Sequence, residues 1–191
     1  LINATFAVYS ASGAAFVLQR VNAIFDPRIH HNIAAVTARL AERGLVTPRL
    51  VPSRDGRLFV EHDGAVWRLS TRVAGSSFDR ADSSEQVQSA AGLVGRFHGA
   101  LEGLDHRFVG MRSGAHDTAA HMAHLTASRK SHSTHRLAAD VAAVAQAIEA
   151  AHAAMAPLPL LEPIVGHGDL KLNNILFAAA AGPERDVAVA L

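Results

Sequence analysis

Two apolar-rich, β-like runs lie near the start of the chain, TFAVYS and AFVLQRV, separated by ASG. A short glycine-containing break between two such runs predicts a β-hairpin. The pattern recurs in RLFVEH and AVWRLS, joined by Asp63-Gly64, a dipeptide that tolerates positive φ and favours a tight hairpin turn. Between the two hairpins a helical pattern appears. Ile29, Ile33, Val36 and Leu40 follow at steps of four, three and four, which aligns them on one helical stripe. Asp26 can cap the amino end of this helix, Pro27 suits its first turn, and Gly44 supplies a stop.

Beyond TRVAGSSFD, helical spacing takes over. Gly75, Ser76 and Ser77 read as a linker. Ser83 and Gln86 have capping-box spacing, and Val87, Ala91, Val94, His98 and Leu101 then recur on one side of a second helix. His98 reads as a satisfied core histidine. Gly92, Gly95 and Gly99 lie along another side, and each costs about 1 kcal/mol relative to alanine. Close approach of a neighbouring backbone is the expected compensation. A further helix is expected over about residues 136–155, with Val141, Val144, Ile148 and His152 on one face and Pro157, Pro159 and Pro163 ending it. A polar stretch follows, then a short strand NILF, a Gly182-Pro183 turn and a last strand, VAVAL. The expected fold class is α+β: a small antiparallel β-rich lobe over residues 1–72, and a helical lobe over residues 73–191. A ligand is expected in the cleft between them. The chain opens inside one strand-like pattern and stops inside another, RDVAVAL, so both lobes are expected to be incomplete and the chain a fragment.

Composition narrows the function classes. With 49% apolar and 18% charged residues over 191 positions, the chain is expected to fold around a core. Its 18 basic and 17 acidic residues leave a formal charge of +1, which calls for neither nucleic acid nor an acidic membrane as partner. The absence of cysteine excludes disulfides and thiolate metal sites. LINATFAVYS has no basic leader region, and no uncharged apolar run approaches the roughly 18 residues of a membrane span. Asp140 and Glu149 interrupt the alanine-rich stretch that comes closest, so a cytoplasmic location is expected. His116, His121 and His124 are not part of an H-E-x-x-H motif, and a metal site is not expected there.

The densest chemistry lies in VGHGDLKLNNILF, residues 165–177. His167, Asp169, Leu170, Lys171 and Asn174 match H-x-D-L-K-x-x-N, a pattern of kinase catalytic loops. Phosphoryl transfer needs a carboxylate to orient an attacking hydroxyl and take its proton, the role open to Asp169. An amide oxygen, here that of Asn174, can ligate Mg²⁺, which takes oxygen ligands. Lys171 can neutralise charge on the transferring group, and His167 is expected to brace the loop by hydrogen bonds. The flanking PIV and ILF can hold these polar groups still. The alternative is a polar turn serving only its own geometry. No G-x-x-x-x-G-K-[ST] or G-x-S-x-G pattern exists, so P-loop and nucleophile-elbow chemistry have no support.

At HGDLKLNN the chain resembles the aminoglycoside phosphotransferase and choline kinase group, whose members share the protein-kinase-like two-lobe fold. FVLQRVN, WRLSTRVAGSSFD and GAHDT are further similar to the N-acetylhexosamine 1-kinase branch, which phosphorylates the anomeric hydroxyl of amino sugars with ATP. The resemblance implies ATP and Mg²⁺ as cofactors and a sugar or amino-sugar hydroxyl as acceptor. It implies Asp169 as catalytic base, Asn174 as metal ligand, Lys171 near the γ-phosphate and His167 as brace. FVLQRVN takes the place of the strand whose basic residue pairs the α- and β-phosphates. Alternation puts Gln19 and Arg20 on opposite faces; charge favours Arg20, and Gln19 is its rival. INATF takes the place of the turn over the phosphates, where Asn3 and Thr5 can offer donors, although no glycine is present. Residues 70–74, with Arg72 and Val73, would hold adenine by main-chain groups. His116 and Asp117 of GAHDT would lie near the acceptor sugar, or else form an ordinary Asp-Thr helix cap.

Three departures stand against the resemblance. The family's second metal-holding aspartate would fall at about the end of this chain. The first helix carries Asn32 where a glutamate partner for the basic residue is expected, and Glu42 lies too near its far end. The family's later substrate-binding helices have no counterpart here, so the chain alone can lack activity even where a parent protein is an enzyme. An aminoglycoside acceptor and a nucleotide-binding pseudokinase are the alternatives, and the lack of an acidic cluster near GAHDT favours a neutral sugar over a polycation.

Overall fold

The structure, a computed structural model, describes residues 2–112, 114, 117–156, 159, 162, 164–178 and 187–191. By its contacts the chain divides into two compact units, Leu1–Met111 with Pro163–Leu191, and Arg112–Glu162.

Both predicted hairpins form in the first unit. Strands β1 (Ala4–Tyr9) and β2 (Ala15–Val21) pair antiparallel from Ala4↔Arg20 to Tyr9↔Ala15. Strands β3 (Val60–His62) and β4 (Ala65–Thr71) pair through a turn in which Asp63 and Gly64 have φ of 49° and 67°. Two successive positive φ angles are what a type I′ hairpin requires, which explains the Asp-Gly pair. Strand β2 also pairs with β4, giving one antiparallel sheet in the order β1-β2-β4-β3. The register puts Thr5, Gln19 and Arg68 in one cross-strand row and Ala4, Arg20 and Trp67 in the next, on the opposite face.

Helix α1 (Ile29–Glu42) begins later than Asp26 would set it. Asp26 instead caps the turn leading into the helix, accepting from the Arg28 amide at 2.8 Å and pairing with its guanidinium. Gly44 does stop the helix: Leu45 N–H donates to Leu40 O at 2.9 Å and Gly44 N–H to Ala41 O at 3.0 Å, a Schellman motif. The buried positions are His30, Asn32, Thr37 and Leu40, so the expected apolar stripe is rotated. The cause is that polar side chains here find partners. The His30 ring lies on Phe59 at 4.9 Å, and Asn32 bonds His106 Nε2 and both main-chain groups of Val109.

Helix α2 (Ser84–Leu101) has the predicted cap, Ser83 Oγ accepting from the Gln86 amide at 3.1 Å. Gln86 reaches back to the Asp82 amide. The buried side is Gln86, Ala90, Leu93, Phe97, Ala100 and Leu101, while Val87 is 54% exposed, so only Leu101 of the expected stripe is fully buried. His98 is half-buried, its ring edge-on to Phe97. No neighbouring backbone approaches the glycines of α2: a Cβ at Gly95 or Gly99 would meet nothing within 4 Å, and one at Gly92 only the Arg96 side chain at 3.7 Å. Arg39 joins the two helices, donating to Ala100 O in the last turn of α2 and to Glu102 O just past it.

The chain returns as β5 (Leu176–Phe177) and β6 (Ala188–Ala190), an antiparallel pair as expected; the proposed Gly182-Pro183 turn lies outside the described residues, as do Pro157 and Pro163. One core cluster gathers Ala90, Leu93, Ile175, Phe177 and Ala188, and another Leu40, Phe97, Ala100 and Leu101.

The second unit holds α3 (Thr118–Ser131) and α4 (Ala138–Ala154), tied by an Arg129–Glu149 ion pair at 2.7 Å. Helix α3 buries no side chain and α4 only Ala145. The apolar face expected to pack is exposed, Val144 most of all at 61%. Among the described residues no helix is long and apolar enough to cross a membrane.

Candidate active site

The polar loop is built on a buried stem. Ile175 is 4% exposed and Phe177 fully buried, edge-on to Phe78 at 5.4 Å. Phe177 exchanges two backbone hydrogen bonds with Ser76, at 2.9 and 3.0 Å. Residues 75–77, read as a linker, are thus stapled to the strand that leaves the loop. Gly75 is required at this staple: its φ is 156°, and a Cβ there would lie 2.6 Å from Phe177 O. On the entering side, Val165 packs against the cluster containing Leu40 and Phe97.

Between these anchors the chain folds back on itself. Gly168 has φ 77°, the left-handed conformation that glycine adopts at little cost. A 3₁₀ turn over Leu172–Asn174 is closed by Asn174 N–H donating to Lys171 O at 2.9 Å. This turn points Asn174 back at Asp169, where Nδ2 donates to the main-chain oxygen at 2.8 Å and to Oδ2 at 3.1 Å. Lys171 Nζ stands 3.4 Å from the same carboxylate oxygen. Asn173 donates to Asp79.

Asp169 is exposed and stays ionised to lower pH than an ordinary aspartate. The hydrogen bond from Asn174 is the main cause; that from Lys171 adds to it, and the Lys171 and His167 charges contribute less. His167 makes no hydrogen bond among the described residues. It sets its ring edge-on to Phe97 at 6.2 Å.

The donor set fits a hard cation in part. Asn174 spends its amide nitrogen on Asp169, which leaves Oδ1 as the end facing elsewhere. With a carboxylate oxygen of Asp169 this makes two oxygen donors, and Mg²⁺ commonly completes its shell with phosphate oxygens and water. Among the described residues no three His, Asp or Glu side chains gather into a self-contained metal site.

The other candidates separate on the sheet. Arg20 is exposed on the face it shares with Trp67. Gln19 is half-buried on the opposite face, donating to Thr5 Oγ1 at 3.1 Å and accepting from Arg68 Nε at 2.9 Å. The face of Gln19 carries the polar row of Thr5, Gln19 and Arg68, whereas Arg20 lies in a row with Ala4 and Trp67. Arg68, which sequence reasoning missed, could have been found from the strand register opposite Gln19. Asn3 Oδ1 accepts from the Asn22 amide at 2.9 Å. Arg72 N–H donates to Ala15 O, whereas the main-chain groups of Val73 and Ala74 make no hydrogen bond among the described residues. Asp117 caps α3, accepting from the Ala120 amide at 2.9 Å, and His116 lies outside the described residues.

Comparison with known proteins bears on this loop and sheet together. The APH family model, described as the phosphotransferase enzyme family, matches residues 1–185. The chain belongs to the phosphotransferase enzyme family. Its fold is similar to that of the amicoumacin kinase hAmiN in complex with AMP-PNP, Ca²⁺ and Ami, with a TM-score of 0.64 at 14% identity over 99% of this chain. It is also similar to an aminoglycoside phosphotransferase from Alicyclobacillus acidocaldarius subsp. acidocaldarius DSM 446, with a TM-score of 0.55 at 15% identity over 98% of this chain. The family member spans 55% and 58% of the lengths of those two proteins. Its α+β fold, a small antiparallel sheet with a helical part, is that of the kinase-like phosphotransferases.

Proposed function

We propose that the chain carries the nucleotide lobe, residues 1–72, and the catalytic loop, within residues 73–191, of an ATP- and Mg²⁺-dependent small-molecule kinase. Its acceptor is a sugar or amino-sugar hydroxyl, as in the N-acetylhexosamine 1-kinases. The observation that carries the reading is an exposed, ionised Asp169 held by Asn174 and Lys171 on a fully buried stem. ATP bound with Mg²⁺ would supply the transferable γ-phosphoryl group. Asp169 orients the acceptor hydroxyl and takes its proton. Asn174 keeps that carboxylate in place with its nitrogen and offers its oxygen to the metal. Lys171 offsets negative charge gathering at the loop, and His167 fixes the approach to Asp169 by packing on Phe97. Val73 and Ala74 offer main-chain groups to adenine. His116 and Asp117 remain the acceptor-side candidates, with Asp117 also capping α3.

An aminoglycoside acceptor is the second reading, favoured by the name of one structural relative. The neutral composition around GAHDT favours the first. The test is turnover by the full-length protein with MgATP over N-acetylhexosamines and aminoglycosides, with the product identified by phosphorus NMR. Asp169→Asn should leave nucleotide affinity intact and lower turnover by about 10²- to 10⁴-fold, the range for a lost general base. Near-normal turnover in that variant would sink the assignment.

A further inference from the structure

The arginines of this chain are treated unequally. Arg28, Arg39, Arg57 and Arg129 each meet a carboxylate. Arg68 is half-buried on β4, and among the described residues no carboxylate reaches it. Among the described residues its side chain bonds only the neutral Gln19, through Nε at 2.9 Å. Burial holds its pKa below the ordinary arginine value, and a guanidinium nonetheless stays charged. A desolvated cation with no anion is costly, so its persistence calls for a reason outside the fold.

Its surroundings are organised for an anion. Arg68, Gln19 and Thr5 occupy one row across β4, β2 and β1. The row is a continuous hydrogen-bonded chain, because Gln19 Nε2 donates to Thr5 Oγ1 at 3.1 Å. Using Nε on Gln19 fixes the plane of the guanidinium and leaves both terminal nitrogens, the fork that pairs with phosphate oxygens. Helix α1 brings His30 near, where burial keeps the ring neutral, and the α1 residue in the expected glutamate position, Asn32, is spent on His106 and Val109. No side chain of α1 competes for Arg68 as an acidic partner.

We infer that Arg68, aimed by Gln19, supplies the cation that binds the phosphate chain of the nucleotide, in place of a basic residue on β2. This rests on the kinase reading above and moves the phosphate contact one strand across the sheet. The row Thr5–Gln19–Arg68 is then a positioning device: the two neutral side chains orient the guanidinium and do not touch the nucleotide's reacting atoms.

The test is calorimetric titration of the full chain with ADP and with adenosine. Arg68→Met should weaken ADP binding about tenfold or more, since charge-assisted hydrogen bonds are of that size, and leave adenosine unchanged. Arg20→Met should change neither. Equal ADP affinity in Arg68→Met and the parent chain overturns the inference alone; so does a loss confined to Arg20→Met. A parent chain that binds neither ligand overturns the kinase reading and the inference with it. Should Arg68→Met not fold, the Arg68 Nε resonance of the parent chain decides. A shift with ADP and none with adenosine supports the inference, and no shift with ADP overturns it.

Discussion

Residues 167–174 and the α3–α4 pair invert the usual relation between polarity and order. The loop is polar and largely exposed, yet Ile175 and Phe177 root it in the core and Ser76 staples its exit strand. Helices α3 and α4 are rich in alanine, yet together they bury only Ala145. An open cavity of about 780 Å³ lies along them, lined by Leu125, Arg129, Leu137 and Val141 among others. A segment's own composition therefore does not set how firmly it is held. Two or three buried side chains at its ends do that, because a fully buried aromatic resists displacement far more than an exposed apolar stripe.

The contrast can be broken by experiment. Phe177→Ala should have the largest effect, lowering unfolding free energy by about 3–5 kcal/mol as a large cavity opens under the loop. Denaturant titration measures this, and a loss below about 1 kcal/mol would mean the stem does not anchor the loop. Asn174→Ala should act next, locally and on charge. Losing its hydrogen bond removes the main cause of the lowered Asp169 pKa, so carboxyl NMR should find that pKa raised toward the ordinary value. The sign for stability follows. A folded-state pKa below the unfolded one favours the fold above the unfolded value of about 3.9, and that contribution is lost as pH falls through the folded pKa. In Asn174→Ala this acid-side window should narrow. The smallest effect belongs to the second unit: Val144→Ser should change stability by no more than about 0.5 kcal/mol, as expected of an exposed side chain.

Both hairpins, their register-setting turns, the Ser83 cap and the Gly44 stop were readable because each depends on neighbours within a few residues. The helical faces were misjudged for one shared reason. Periodicity counts apolarity, whereas burial in α1 and α2 falls on His30, Asn32 and Gln86. Asn32 is satisfied by the distant Val109 and His106, whereas His30 and Gln86 bond groups three and four residues away. The α2 glycines were expected to mark a close approach that occurs instead at Gly75, where two segments about a hundred positions apart meet.

The amino-acid order alone settles the local chemistry of the loop. A carboxylate and an amide five residues apart, with a left-handed glycine between His167 and Asp169, bring Asn174 onto Asp169 through one short turn. Which cation faces the sheet's polar row is not written locally. Arg20 and Gln19 are neighbours in the chain, and Arg68 lies far from both until strand pairing sets it opposite Gln19. Side chains on a strand alternate between two faces, and only strand pairing gathers Thr5, Gln19 and Arg68 into one polar row, opposite the face that carries Arg20 and Trp67.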